Sequence, residues 1–275
     1  MRLVCDSGST KTDWIIADGS SVITKFSTCG LNPSVMGLDS VKEHLQSLLL
    51  PHLEGISVSD VEFYGAGCTQ DIIPEMRQLL ADLITSAKNI LVASDVLGAA
   101  KAVCGKEKGI AAILGTGANS CLFDGEKIIK NTPALGFILG DEGSGAVLGR
   151  IFLNALLKGL LPESVDSMFA DETGLTQQDI IGKVYRSSTP NRFLASMSPF
   201  IHRHQDVKEL RELVVANFRD FFTHNICQYG YPELPVNCVG SMAYYFSEQL
   251  QEAARDEGFV IGRILRSPIE GLCQR

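Results

Sequence analysis

Short apolar runs alternate with glycine-bearing polar turns over the first thirty residues. Residues 2–6 (RLVCD), 12–18 (TDWIIAD) and 21–27 (SVITKFS) read as three strands, with Gly8 and Asp18-Gly19 marking the hairpins between them. The period then lengthens. Leu38, Val41, Leu45 and Leu48/Leu49 fall on one face of a helix over 38–50. A strand at 60–65 (DVEFYG), a helix near 73–86, a strand at 89–93 (NILVA) and a helix at 95–104 follow. The order then starts again. Strands are expected at 109–114 (GIAAIL), 119–124 (NSCLFD) and 126–131, followed by a mostly helical insert at 144–159, 163–170, 176–187 and 206–229. A strand at 235–239 (PVNCV), a helix at 241–256, a strand at 258–263 and a short helix close the chain.

The pattern therefore predicts an α/β protein with one topology used twice, the insertions lying in the second copy. The boundary falls near the polar stretch Gly105-Lys106-Glu107-Lys108, giving domains 1–106 and 107–275, with the last helix able to pack back on the first domain. No proline-rich linker separates the halves, which predicts a shared interface.

Bulk properties narrow the classes. The 275 residues are 45% hydrophobic and 20% charged, an ordinary globular composition. A formal charge of −8 argues against a nucleic-acid binder, although backbone N–H groups can bind an anion locally on an acidic protein. No apolar run is long enough to span a bilayer, and Met1-Arg2-Leu3-Val4-Cys5-Asp6 turns polar too early for a signal peptide, so a cytoplasmic protein with no membrane partner is expected. A homodimer is left open. Cys5, Cys29, Cys68, Cys104, Cys121, Cys227, Cys238 and Cys273 are scattered without a CxxC pair and read mostly as buried thiols. The five histidines show no metal spacing; His202 and His204, two apart, read as surface residues.

The chemistry gathers at two turns. Each half opens with strand, glycine turn, strand: Asp6-Ser7-Gly8-Ser9-Thr10-Lys11-Thr12 in the first, Gly115-Thr116-Gly117-Ala118-Asn119-Ser120 in the second. Glycine lets backbone approach a ligand, and successive N–H groups with Ser/Thr hydroxyls make an anion nest. Asp6, ending a buried strand, can hold Mg²⁺ through water. Either turn alone could be an ordinary hairpin; matched positions in two repeats favour a polyphosphate clamp. No GxxxxGK[ST] loop is present, and Gly143-x-Gly145-x-x-x-Gly149 does not have the dinucleotide spacing. Asp95 follows a strand and opens a helix, where it can act as general base or merely as a helix cap. Asn32, before Pro33, suits hydrogen bonding to a polar ligand or a plain Asn-Pro turn.

These residues carry a resemblance. Asp6-Ser-Gly-Ser-Thr-Lys-Thr-Asp-Trp14 resembles the first phosphate motif of the actin-like ATPase superfamily of hexokinases and Hsp70 chaperones, Gly115–Ser120 its second, and Val239-Gly240-Ser241-Met242-Ala243 its adenosine motif. Gly30-Leu-Asn-Pro33, Ser94-Asp-Val96 and Leu139-Gly-Asp-Glu-Gly-Ser144 narrow the similarity to BadF/BadG-type ATPases and, among them, N-acetylglucosamine kinases. The resemblance implies two ribonuclease-H-like domains with ATP and Mg²⁺ in a central cleft. It implies Asp95 as base, Gly8, Ser9, Thr10, Lys11, Thr116, Gly117, Gly240 and Ser241 at ATP, and Asn32, Gly67, Asp95, Thr116, Gly136, Phe137 and Asp141 at the sugar. Asp141 also reads as a helix cap, and Phe137 as a core aromatic. The turn Gly65-Ala66-Gly67-Cys68-Thr69 could form a niche for an acetamide. The rival within the same family is an ATP-driven activator of a reductase or dehydratase with an interfacial iron–sulfur cluster. That role expects a cysteine pair near the junction, where Cys104 stands alone and Cys121 follows a phosphate turn. A sugar-sensing regulator would add a DNA-binding module. The reading is a sugar kinase.

Overall fold

The computed structural model, which describes residues 1–8, 10–19 and 21–273, contains two five-stranded sheets. The first is built from β1 (Arg2–Ser7), β2 (Lys11–Asp18), β3 (Ser21–Cys29), β4 (Asp60–Gly65) and β5 (Asn89–Ser94), in the order β3-β2-β1-β4-β5. The second is built from β6 (Gly109–Leu114), β7 (Ala118–Phe123), β8 (Ile128–Thr132), β9 (Val236–Val239) and β10 (Ile261–Leu265), in the order β10-β9-β6-β7-β8. In each sheet the first three strands are antiparallel, and the last two run parallel to the first. The repeat expected from the element order is thus a repeat of sheet topology.

One compact unit holds Met1–Lys106, Gly125–Lys127 and the chain from Ser267 onward; the other holds Glu107–Asp124 and Ile128–Arg266. In the first, Leu3, Cys5, Trp14, Ile16 and Phe63 pack against Val41, Leu45, Met76 and Leu80. The helix Asp95–Cys104 covers Tyr64 through small residues: a Cβ on Gly98 would lie 2.6 Å from Tyr64 Cβ. The final helix, Pro268–Leu272, lies on that helix, with the backbone of Gly271 against the Ala102 carbonyl. In the second unit β6 packs under Gly145–Leu157 and Lys208–Phe221, with Phe152, Phe218, Phe221 and Phe222 fully buried. No helix among the described residues is long and apolar enough to cross a membrane.

Several local expectations change. The helix over 38–50 is α-helical only over Leu38–His44, then passes through a π-helical turn at Leu45–Leu49 and a 3₁₀ turn at Leu50–Leu53, where Pro51 lacks the N–H that regular continuation needs. The helix over 241–256 is two helices, Ser241–Tyr245 and Ser247–Asp256, and the last strand begins at Ile261 rather than 258. Pro33–Met36, Gly136–Leu139, Pro190–Ala195 and Ser198–Arg203 are helices the periodicity did not reveal. Three of these four carry proline in their first turn, where its fixed φ favours a start rather than a break. The cysteines are less hidden than expected: four are buried, while Cys29 and Cys227 are exposed.

Candidate active site

In the first unit, the candidates Asp6 and Asp95 lie close enough to interact, together with a third carboxylate, Asp13. Asp6 sits opposite Asp13 in the β1–β2 register. Burial, then the charges of Asp95 and Asp13, push the Asp6 carboxyl up to about 8, against the opposing pull of Lys11. Asp13 is buried too, but it is held ionised below its ordinary value by Lys11 and Ser27, overcoming its desolvation. Lys11 Nζ lies 2.8 Å from Asp13 Oδ2, and Ser27 Oγ donates to Asp13 Oδ1 over 2.5 Å. The ammonium expected at the phosphates is therefore anchored by Asp13, a residue the sequence reading passed over. Ser9 lies outside the described residues.

Gly8 closes the first turn by donating to the Lys11 carbonyl at 2.9 Å, and Gly30 donates to the Thr10 carbonyl at 3.1 Å. Beneath the turn, Ser7 Oγ bonds Thr12 Oγ1 and spans both the N–H and the carbonyl of Leu31. This buried hydroxyl ties the turn to the loop bearing Asn32. Asn32 Oδ1 is buried with no hydrogen-bond partner among the described residues, and it lies so close to Gly67, at a positive φ of 76°, that a Cβ there would stand 2.0 Å from it. Next to Gly67, burial and then the charge of Asp95 raise the Cys68 thiol to about 12. Asn32, the 65–69 turn and Asp95 thus form one neighbourhood.

Asp95 is the first residue of its helix, not the cap. Ser94 takes that role, accepting the N–H of Leu97 at 3.3 Å. Asp95 is left to accept the N–H of Val96 at 2.9 Å, and burial lifts its carboxyl to about 6. Asp141 in the second unit repeats the arrangement. Ser144 caps Gly145–Leu157 by accepting from Val147, whereas Asp141, at a φ of 56°, accepts the N–H groups of Ala118 and Gly136. Burial raises it to about 6, with Glu142 adding to the shift. Glu142 itself takes bonds from Asn225 and His224. Phe137 packs on the core of its unit, while Gly136 serves Asp141 through its backbone.

The second turn is docked on a helix start: Gly145 and Ala146 donate to the carbonyls of Gly115 and Thr116. A Cβ on Gly117 would stand 3.0 Å from Asp141 Oδ2. Gly240, at a φ of 115°, lies against the Leu114 carbonyl so closely that only glycine fits. Beside these residues the second unit holds a pocket of about 390 Å³. It is lined by Gly115, Thr116, Gly145 and Ser241 together with a second group, Ala195, Ser198, Pro199, His202, Arg203, Met242, Tyr245 and Phe246. Most of that second group went unseen in the sequence, and His202 is a pocket wall rather than a surface residue. The only signal was proline at 190 and 199 flanking an unassigned stretch.

No family model and no curated protein matches the chain. Among solved structures, a candidate N-acetylglucosamine kinase from Porphyromonas gingivalis is similar at 47% identity over 100% of this chain and 98% of that one, with a TM-score of 0.97. The chain belongs to the actin-like ATPase sugar kinases. A candidate N-acetylglucosamine kinase from Chromobacterium violaceum (17% identity, 100% and 98% coverage, TM-score 0.74) shares this kinase fold. So does a ROK-family glucokinase from Streptomyces griseus in complex with glucose and AMPPNP (16% identity, 99% and 96% coverage, TM-score 0.54).

Proposed function

We propose that this sugar kinase transfers the γ-phosphoryl group of ATP to a hydroxyl of N-acetylglucosamine. The observation that carries the reading is Asp95: a carboxylate at a strand end, relieved of helix capping by Ser94 and lifted to about 6 by burial. Such a group is ionised near neutrality yet basic enough to take a proton. As the sugar oxygen bonds to phosphorus, Asp95 accepts the hydroxyl proton, the bond to the bridging oxygen breaks and ADP leaves. Asn32 Oδ1, unpartnered among the described residues, offers an acceptor to a second sugar hydroxyl, and Asp141 offers another. The turns at Gly8–Lys11 and Thr116–Gly117 would cradle phosphates, and the pocket beside Gly240 and Ser241 would take the nucleoside.

Mg²⁺ fits Asp6. A carboxyl whose ionisation is opposed by two neighbouring carboxylates gains from a cation beside it. When bound, Mg²⁺ supplies charge neutralisation for the transferring phosphate.

The 47% identical relative supports the acetylated sugar, as does the small-residue turn around Gly67. A panel of sugars with Mg·ATP, followed by ADP release, tests the assignment. N-acetylglucosamine should show the highest kcat/KM, with glucosamine and glucose clearly lower, because a site that hydrogen-bonds a substrate group rejects analogues lacking it. Equal turnover of glucosamine would overturn the acetamide while leaving the kinase standing.

A further inference from the structure

The helix Ser198–Arg203 carries two polar atoms that the protein leaves unsatisfied. Ser198 Oγ and His202 Nδ1 are both buried without a hydrogen-bond partner among the described residues. An unmade bond of this kind destabilises a fold, so two on one short helix call for a reason. Four residues apart, they share a helix face, and both side chains line the 390 Å³ pocket. Ser198 Oγ stands on its floor, 3.0 Å from where a Cβ on Gly145 would sit. His202 stands in its wall, with ring centroids 5.5 Å from Tyr245 and 5.3 Å from Phe246, the latter nearly perpendicular. Flat apolar walls with two polar atoms that lack partners suit a planar heteroaromatic ring whose edge carries nitrogen or oxygen.

The remaining polar lining is of one kind. Thr116, Ser241 and Tyr245 bring hydroxyls; Arg203 is exposed and paired with Glu172; no carboxylate or amide side chain lines the pocket among the described residues. Base selection needs fixed polarity. An Asn or Gln amide matches adenine's adjacent donor and acceptor, and a guanidinium matches guanine's two acceptors. A hydroxyl rotates to donate or accept, and a neutral imidazole nitrogen does either according to its tautomer.

Resting on the assignment of this pocket to the nucleoside, we propose that Ser198 and His202 hydrogen-bond the purine edge of the phosphoryl donor and, being able to donate or accept, take guanine as readily as adenine. Calorimetric binding of Mg·ADP and Mg·GDP to the full chain, Ser198→Ala and His202→Phe tests this. Dissociation constants for the two nucleotides should agree within about tenfold in the unaltered chain, and each variant should weaken both by about tenfold, the loss of one hydrogen bond. His202→Phe keeps the aromatic wall, and Ser198→Ala removes a single oxygen, so either variant can decide if the other fails to fold. A preference for ADP beyond tenfold, or variants that bind both nucleotides as the unaltered chain does, overturns the inference and leaves the kinase assignment intact. Failure of the unaltered chain to bind either nucleotide overturns both.

Discussion

A serine adjoins Asp95 and another follows Asp141 by three residues, and in each case the serine takes the helix cap. Ser94 accepts from Leu97 and Ser144 from Val147, so Asp95 and Asp141 are not consumed by helix ends. The sequence left both aspartates open between capping and ligand binding, because serine and aspartate cap almost equally well. Only the hydrogen bonds separate the roles. With Asp95 lifted to about 6, kcat/KM should rise with pH through about 6 and level off above it, since the base works only when unprotonated. Asp95→Asn should lower kcat by roughly 10²–10⁴-fold, flatten that limb and keep the nucleotide dissociation constant. Near-normal kcat in the variant would remove Asp95 as the base. Asp13 shows the opposite limit of residue-level reading. Nothing in its local sequence distinguished it from a strand residue, yet the fold places it under Lys11 and within 3.3 Å of Ser267, 254 positions away.

At the scale of elements, the two glycine turns were legible because strand, glycine, strand is a local pattern. What surrounds each turn was not. Among the described residues a Cβ on Gly8 would come nearest the Lys11 carbonyl, at 3.6 Å, whereas one on Gly117 would meet Asp141. The two positions should therefore answer differently to valine. Gly8→Val should fold normally and lose ATP affinity selectively, with sugar affinity retained. Gly117→Val should weaken both ligands, since it displaces a carboxylate expected at the sugar. Titrating ATP and sugar separately into each variant checks this; selective loss of sugar affinity in Gly8→Val would contradict its place at the phosphates. The short helices Pro190–Ala195 and Ser198–Arg203 escaped the sequence because six residues carry too little period, and their prolines look like breakers when they are starters.

At the scale of the molecule, the duplicated topology was readable, and the sequence left the last helix open between its own domain and the first. The helix Pro268–Leu272 follows a strand of the second unit but belongs to the first, where Ile269 and Leu272 are buried and Gly271 lies on Ala102. Ile269→Ala should therefore destabilise the protein by about 2–4 kcal/mol in urea unfolding. Amide exchange should quicken in β1 and in Asp95–Cys104 and stay unchanged in Gly145–Leu157; uniform acceleration would contradict that assignment.

By itself the sequence determined the order of strands and helices, their repetition, both glycine turns and the placing of Asp95 at a strand end. These are short-range signals: hydrophobic period, turn chemistry and the step from strand to helix. Tertiary structure alone decided which serine caps which helix, which aspartate anchors Lys11 and which residues wall the pocket. The pocket collects residues 115–116, 145, 195–203 and 241–246, and no local pattern records that such distant segments converge. Side chains on neighbouring strands and helices meet through packing, and packing is a property of the folded chain.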